Sequence, residues 1–321
     1  MCCSPTGMVL AWWIVFPAAA AALSGLQLHH PPALELPVAL SEERAHWLQW
    51  RLAESVRRPL SFLQRAPFES LAAKLLTEAG SNASSQNTTS GGIPKLIHTT
   101  WKSWDRMTAQ EHASAQSWIE MNPGWRYVFW DDEAVARCLQ ELAPPEDASM
   151  LQDMLAIERF DYFRYLVLFR IGGVYADIDV SPKQPVEHWW KQACASTGEP
   201  SLITGWEARL DSAADEARVK FSRQDQIQQW TIVGRAGHPV LKDVLERIRA
   251  NYKAGRTNCT VDYTGPGPWS DAVLASVGSS LPPRVGHGES QSNRICSKSV
   301  LVLEKEAFAY PGYPGNVGDA S

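Results

Sequence analysis

The chain has 321 residues, 45% of them apolar and 20% charged, which is enough for one sizeable core with appendages and too apolar for a disordered chain. A net charge of -5 without a Lys/Arg stripe excludes the electrostatic footprint of nucleic-acid binding, so no nucleic-acid partner is expected. Residues 1–34 contain no Asp, Glu, Lys or Arg, and residues 8–28 (MVLAWWIVFPAAAAALSGLQL) are apolar apart from Ser24 and Gln27. As a helix that stretch is ~30 Å long, the thickness of a hydrocarbon core. An uncleaved membrane anchor over residues 1–30 is the expectation. The alternative is a cleaved signal peptide, with Ala20-Ala21-Ala22 as a small-residue cleavage site. Neither reading has its usual basic flank. Both lead into the secretory pathway, and the sequons Asn82-Ala83-Ser84, Asn87-Thr88-Thr89 and Asn258-Cys259-Thr260 agree. Cys2 and Cys3 precede the anchor and are candidates for acylation. Cys138, Cys194, Cys259 and Cys296 allow three pairings if all are oxidised, and their wide spacing is unlike a zinc site.

Residues 31–92 read as a helical stem and a glycosylated linker. The spacing predicts a helix over 42–58, with Trp47, Leu48, Leu52 and Val56 on one face and Pro59 at its end. A second helix over 69–79 gathers Leu71, Ala72, Leu75 and Leu76 and stops at Gly80. The run 81–92 (SNASSQNTTSGG) is flexible by composition.

Residues 93–321 form the candidate catalytic domain. Strands are predicted over 93–101 and, after a helical stretch, over the aromatic and β-branched run 125–130. Asp131-Asp132 can cap the next helix. A long helix over 150–171 ends at Gly172-Gly173, and the strand 174–177 follows. Further strands are predicted over 201–206, 227–233 and 300–303, with a helix over 239–252 behind His238-Pro239, where His238 reads as a helix-start residue. This alternation predicts an α/β sandwich with a mostly parallel central sheet.

In such sheets ligands sit beyond the carboxyl ends of the strands. Asp177-Ile178-Asp179 falls there, and in extended backbone residues i and i+2 face one side, so both carboxylates can meet one cation. Hard oxygen ligands suit Mn²⁺ or Mg²⁺, which keep positions open for water and phosphate. A lone Asp-x-Asp is usually an ordinary loop or helix cap, so its context decides.

That context is the run from Ile157 to Asp179, with Asp161, Arg164, Gly172-Gly173 and Tyr175 in it. It resembles the sugar-binding Asp-x-Asp region of glycosyltransferase family 32, nearest to the fungal initiation-specific α-1,6-mannosyltransferases. The resemblance extends to 93–101, to Gln229-Trp230-Thr231-Ile232 with Gly237-His238-Pro239, and to Thr264-Gly265-Pro266-Gly267-Pro268-Trp269, covering roughly 93–311. It implies a GT-A-like fold and a retaining transferase with a nucleotide-sugar donor, GDP-mannose favoured, and a glycan acceptor. With the apolar segment, the stem and the sequons, which lie mostly outside the resemblance, the expectation is a Golgi membrane protein, single-pass type II, with its catalytic domain in the lumen, or a secreted one after signal cleavage. Asp177 and Asp179 become the metal ligands. Asp161 and Arg164, on one helical face by their i, i+3 spacing, become donor contacts, Arg164 through its fork and Asp161 through a sugar hydroxyl. Without the resemblance the pair reads as a surface ion pair. Tyr175 and Trp101 become nucleoside contacts, and Trp230 and Gly265 parts of the donor or acceptor rim. The residues identify no nucleophile, which a front-face attack by the acceptor hydroxyl does not need.

The family carries a further segment beyond a Phe-x-Pro-like stretch, with a His and a Gly-Ser-Trp-like sequence, where a third metal contact can arise. Here Phe308-Ala309-Tyr310-Pro311 leads to a Gly-rich run ending at Ser321, so a metal with fewer protein ligands is expected. The rival readings are an enzyme that mannosylates inositol phosphoceramide and a non-catalytic lumenal glycan-binding or partner subunit. A glycoside hydrolase needs two carboxylates flanking the bond, which adjacent i, i+2 carboxylates suit poorly.

Overall fold

The computed structural model describes residues 72, 74–76, 88–89, 92–191, 199–210, 221–255, 259–278, 294–297 and 299–308. The segment expected as an anchor, the helix over 42–58, the three sequon asparagines, Cys2, Cys3, Cys194 and the Gly-rich tail lie outside them. Among the described residues no helix is long and apolar enough to cross a membrane.

Strand β1 (Leu96–Thr100) lies between two parallel neighbours, β2 (Arg126–Trp130) and β3 (Gly173–Ala176). The sheet continues through β6 (Thr231–Gly234), β4 (Leu202–Arg209), β8 (Val300–Leu303) and β7 (Ile295–Cys296), in that order, and β5 (Asp225–Ile227) pairs with β4. β6 runs antiparallel to both β3 and β4, β4 and β8 are parallel, and β5 and β7 are antiparallel to their neighbours. The sheet is therefore mixed, not mostly parallel. Strand composition reports burial but not direction: β3, β6 and β8 are buried at every position whichever way they run.

Alternation along these strands sorts the two faces. Tyr175, Ile232, Leu202, Val300 and Val302 join one apolar cluster, while Val174, Ala176, Val233, Ile203, Leu301 and Leu303 join another. The first face is covered by helices that include α4 (Ala156–Arg170), α6 (Pro239–Ala254) and α8 (Pro266–Val277), and Val135, Leu139 and Leu142 join the same cluster. Ala72 and Leu75, both 1% exposed, pack into the same cluster. The second face meets Trp118 of α1 (Ala109–Met121) and Trp189 of α5 (Glu187–Lys191). Tyr175 thus faces the helix that precedes its own strand, which places β3 and α4 side by side at the site.

Helix starts follow local chemistry. Thr108 and Glu111 form a reciprocal capping box at α1, and Asp131 accepts from Ala134 N at 2.8 Å to start α2 (Asp132–Leu142). His238 accepts from Val240 N at 3.3 Å at the start of α6, as its position before Pro239 predicts. The helix expected over 150–171 is two, α3 (Ala148–Asp153) and α4. Met154 and Leu155 are extended, and Glu158 Oε2 accepts from Leu155 N at 2.7 Å, which makes interruption cheap. The strand expected over 227–233 is likewise divided into β5 and β6. The Gln228 side chain donates to Thr231 O at 2.5 Å and accepts from Thr231 N at 2.9 Å, so an amide side chain replaces a backbone rung across the turn. A short helix α7 (Thr260–Tyr263) precedes α8. Cys296 is disulfide-bonded, whereas Cys138 and Cys259 are thiols, so the four cysteines are not all oxidised.

Candidate active site

Two glycines set the approach of β3 to β1. Gly172 has φ 83° and Gly173 φ 118°, in the region that L side chains avoid. A Cβ at Gly173 would meet Leu96 O at 2.6 Å, and one at Gly172 would meet Ala236 N at 2.8 Å. The carbonyl of Gly172 accepts from His98 Nε2 at 3.0 Å, and His98 Nδ1 accepts from Trp130 Nε1 at 3.1 Å. His98 is thus a neutral, fully buried tie between β1, β2 and the Gly-Gly turn, and burial lowers its pKa to about 4.

β3 ends at Ala176, and the chain turns at once: Asp177 N donates to Trp230 O at 2.9 Å and Val180 N donates to Asp177 O at 3.1 Å. The Asp-x-Asp motif is therefore a turn and not a continued strand. Ile178 between the carboxylates is buried against Met107, Ala115 and Phe129, and Trp101 packs on the same cluster. This anchors the turn and leaves the two acids in unlike settings. The side chain of Asp177 is 12% exposed, whereas Asp179 is exposed.

Behind Asp177 lies a buried ionic network. Asp177 Oδ1 accepts from Tyr175 OH at 2.9 Å and from Arg164 Nη1 at 3.1 Å. Because Tyr175 donates to the carboxylate, the 3.2 Å contact with Thr100 Oγ1 is a bond from Thr100. Arg164 Nη1 also donates to Gln229 O at 3.0 Å, and Nη2 lies 3.3 Å from Asp161 Oδ1. Asp161 accepts from Gln229 Nε2 at 3.1 Å and from Thr264 Oγ1 at 2.9 Å. Burial pushes the Asp161 carboxyl up to about 6, against the pull of Arg164 and Thr264. Desolvation around the Asp179 carboxyl and the charge of Asp177 raise its pKa as well, although the residue is exposed. The charge of Asp177 acting on Asp179 is one that a cation would offset.

The expected contacts are redistributed. Asp161 and Arg164 are 2% exposed and not a surface pair, and the fork of Arg164 is engaged by protein groups on both Nη atoms. Tyr175 is 1% exposed and lies under the Arg164 guanidinium, 4.9 Å from its ring centroid, so it offers no face to a nucleoside. Trp101 is half-buried, with Lys102 Nζ 5.9 Å from its ring. Trp230 borders the site through its carbonyl, and its Nε1 donates to Phe308 O at 3.3 Å. Gly265 is buried at the start of α8, where a Cβ would meet Val261 Cα at 3.0 Å, so it shapes a helix junction and not a rim.

Sequence reasoning missed the roles of Gln229, Thr264, Tyr165 and Thr100. Gln229 and Thr264 stand within stretches that carried the resemblance, but a single amide or hydroxyl gives no spacing signal toward Asp161. The described residues contain no group of three or more His, Cys, Asp or Glu able to hold a metal. The turn removes the extended i, i+2 geometry that would have put both carboxylates on one side, and what suits a hard cation here is the donor type, carboxylate oxygen, with phosphate and water as further ligands.

Residues 108–196, which enclose this turn and helix α4, match the family model described as glycosyltransferase sugar-binding region containing DXD motif. The resemblance seen in the sequence is thereby borne out. The chain is 29% identical over 71% of its length to an initiation-specific alpha-1,6-mannosyltransferase of Schizosaccharomyces pombe, and 28% over 57% to the one of Candida albicans. It is 30% identical over 36% of its length to inositol phosphoceramide mannosyltransferase 3 of S. pombe. The matches span 60%, 52% and 34% of those relatives' own lengths.

Proposed function

We propose that this chain is a metal-dependent, retaining glycosyltransferase that moves mannose from GDP-mannose to a glycan acceptor, as a type II protein of the Golgi lumen with a GT-A-like catalytic domain. The observation that carries this reading is the pairing of an exposed Asp179 with an Asp177 locked from behind by Arg164 and Tyr175, inside the matched DXD region. Asp177 and Asp179 would hold Mn²⁺ or Mg²⁺. Bound there with donor diphosphate, the cation supplies Lewis-acid neutralisation of the leaving group. The chain's own part is preorganisation: Arg164 and Tyr175 fix Asp177 before any ligand arrives, so little reorganisation remains at the reaction. Trp101, just past the end of β1, packs on the same cluster as Ile178 of the turn, and its half-buried ring would offer an aromatic face to a nucleotide.

A second acceptor class, the inositol phosphoceramide head group, is favoured by the 30% identity to an enzyme named for it. The test is a donor screen of purified protein with GDP- and UDP-sugars in the presence of Mn²⁺. Hydrolysis or transfer from GDP-mannose, abolished by chelation, is the expected result. No metal-dependent turnover of any nucleotide sugar would leave the glycan-binding subunit as the better reading. Acceptor glycans and inositol phosphoceramide in parallel reactions then separate the two acceptors.

A further inference from the structure

We propose that Gln229 is a positioning residue that sets the orientation of Arg164 and, through it, of Asp177. The proposal rests on the transferase reading above. Gln229 lies in the turn between β5 and β6 and is half-buried. Its side chain is used at both ends: Oε1 accepts from Tyr165 OH at 2.5 Å, and Nε2 donates to Asp161 Oδ1 at 3.1 Å. Its carbonyl accepts from Arg164 Nη1 at 3.0 Å, and the next carbonyl, of Trp230, accepts from Asp177 N at 2.9 Å.

The orientation of the amide follows from its neighbours. An ionised Asp161 can only accept, so the NH₂ group must face it. The carbonyl end then receives the Tyr165 hydroxyl, whose other acceptor, Gly265 O, lies farther off at 3.4 Å. Asp161 Oδ1, held by this donor, is the atom that meets Arg164 Nη2 at 3.3 Å, while Nη1 bridges Gln229 O and Asp177 Oδ1. Two anchors, one from the Gln229 carbonyl and one relayed through Asp161, define the guanidinium plane. That plane aims Nη1 at Asp177. The role needs one donor and one acceptor on a side chain of this length. Groups behind metal ligands commonly change affinity or activity about 10- to 100-fold when removed.

Gln229→Met keeps the backbone carbonyl and the side-chain length and removes both amide functions. It is expected to weaken Mn²⁺ binding, measured calorimetrically with GDP present, about tenfold, and to lower kcat/KM comparably. Gln229→Glu adds a chemical signature. With one proton shared between the introduced carboxyl and Asp161, the variant still offers one donor and one acceptor; fully ionised, the new carboxylate repels Asp161. The other titratable groups facing this network are Arg164 and Tyr165 on α4, and Tyr175 and Asp177 at β3. The ratio of its activity and thermal stability to wild type is therefore expected to rise as pH falls from about 8 to about 5.5, across the range where coupled carboxyls take up a proton, and to rise more steeply than the Gln229→Met ratio, in which Asp161 loses one donor and gains no like charge. Circular dichroism establishes that each variant folds. If Gln229→Met fails to fold, the pH ratio of Gln229→Glu alone decides. Mn²⁺ affinity and kcat/KM of Gln229→Met within twofold of wild type would overturn the proposal, as would a Gln229→Glu ratio independent of pH. Wild-type protein that binds no Mn²⁺ with GDP would sink the transferase reading itself, and this proposal with it.

Discussion

Replacing Asp179 by Ala removes an exposed carboxylate from the surface of the turn, whereas Asp177→Ala strips Arg164 of one of its two carboxylate partners inside the protein. Both variants should lose metal-dependent transfer, but only one should lose stability. Asp179→Ala is expected within about 0.5 kcal/mol of wild type, as for ordinary surface sites. Asp177→Ala is expected to cost about 3 kcal/mol, because a buried cation is left under-compensated. Urea denaturation alongside the transfer assay separates them, and equal stability of the two variants would contradict the buried network. His98 supplies a second test. Its folded pKa of about 4 lies below the ordinary 6.5, so between these values the unfolded chain binds the extra proton. Stability should therefore fall as pH drops through this window, by a contribution on the order of 3 kcal/mol, and a folded His98→Gln variant should show a flatter dependence. At this scale the sequence made the two Asp-x-Asp carboxylates and the i, i+3 pair at 161 and 164 legible. It could not show that the pair is buried, because α4 is covered on nearly every side and its pattern has no polar face to read. The partners Gln229 and Thr264 come from 68 and 103 residues away and leave no periodic trace.

At the scale of elements, strands β1, β2, β4 and β8 and helix α6 stood out through composition and capping, and their positions lie close to the expected ones. The direction of β6 did not, nor did the break before α4, since each depends on side-chain bonds, from Gln228 and Glu158, that stand in for backbone ones. The Gly-Gly turn was legible as a helix end, but its second purpose, admitting Leu96 O beside β3, was not. A comparison of glycines tests that purpose. Gly237 has φ 73° and nothing within 4 Å of where a Cβ would stand, so Gly237→Ala should cost only about 1 kcal/mol for its backbone conformation. Gly173→Ala carries a similar backbone penalty and in addition drives Cβ onto a carbonyl, so about 3 kcal/mol or more is expected. Similar denaturation midpoints for the two variants would show that β3 can move away from β1 at little cost.

At the scale of the whole molecule, the parts of the ionic network differ greatly in how far apart they lie along the chain. Arg164 and Asp177 are 13 residues apart, Arg164 and the Gln229 carbonyl 65, and Thr264 and Asp161 103. Short loops close at less entropic cost, and contacts between distant residues tend to form late. In folding, helix α4 and strand β3 can dock across their two-glycine joint before the turn at 228–230 and helix α8 arrive. Truncations in α4, such as Leu168→Ala, should then slow refolding, while Val273→Ala in α8 should mainly speed unfolding. Mn²⁺ binding during refolding should lag the recovery of helical signal. The guanidinium is paired early and aimed late: the chain becomes compact before it becomes competent.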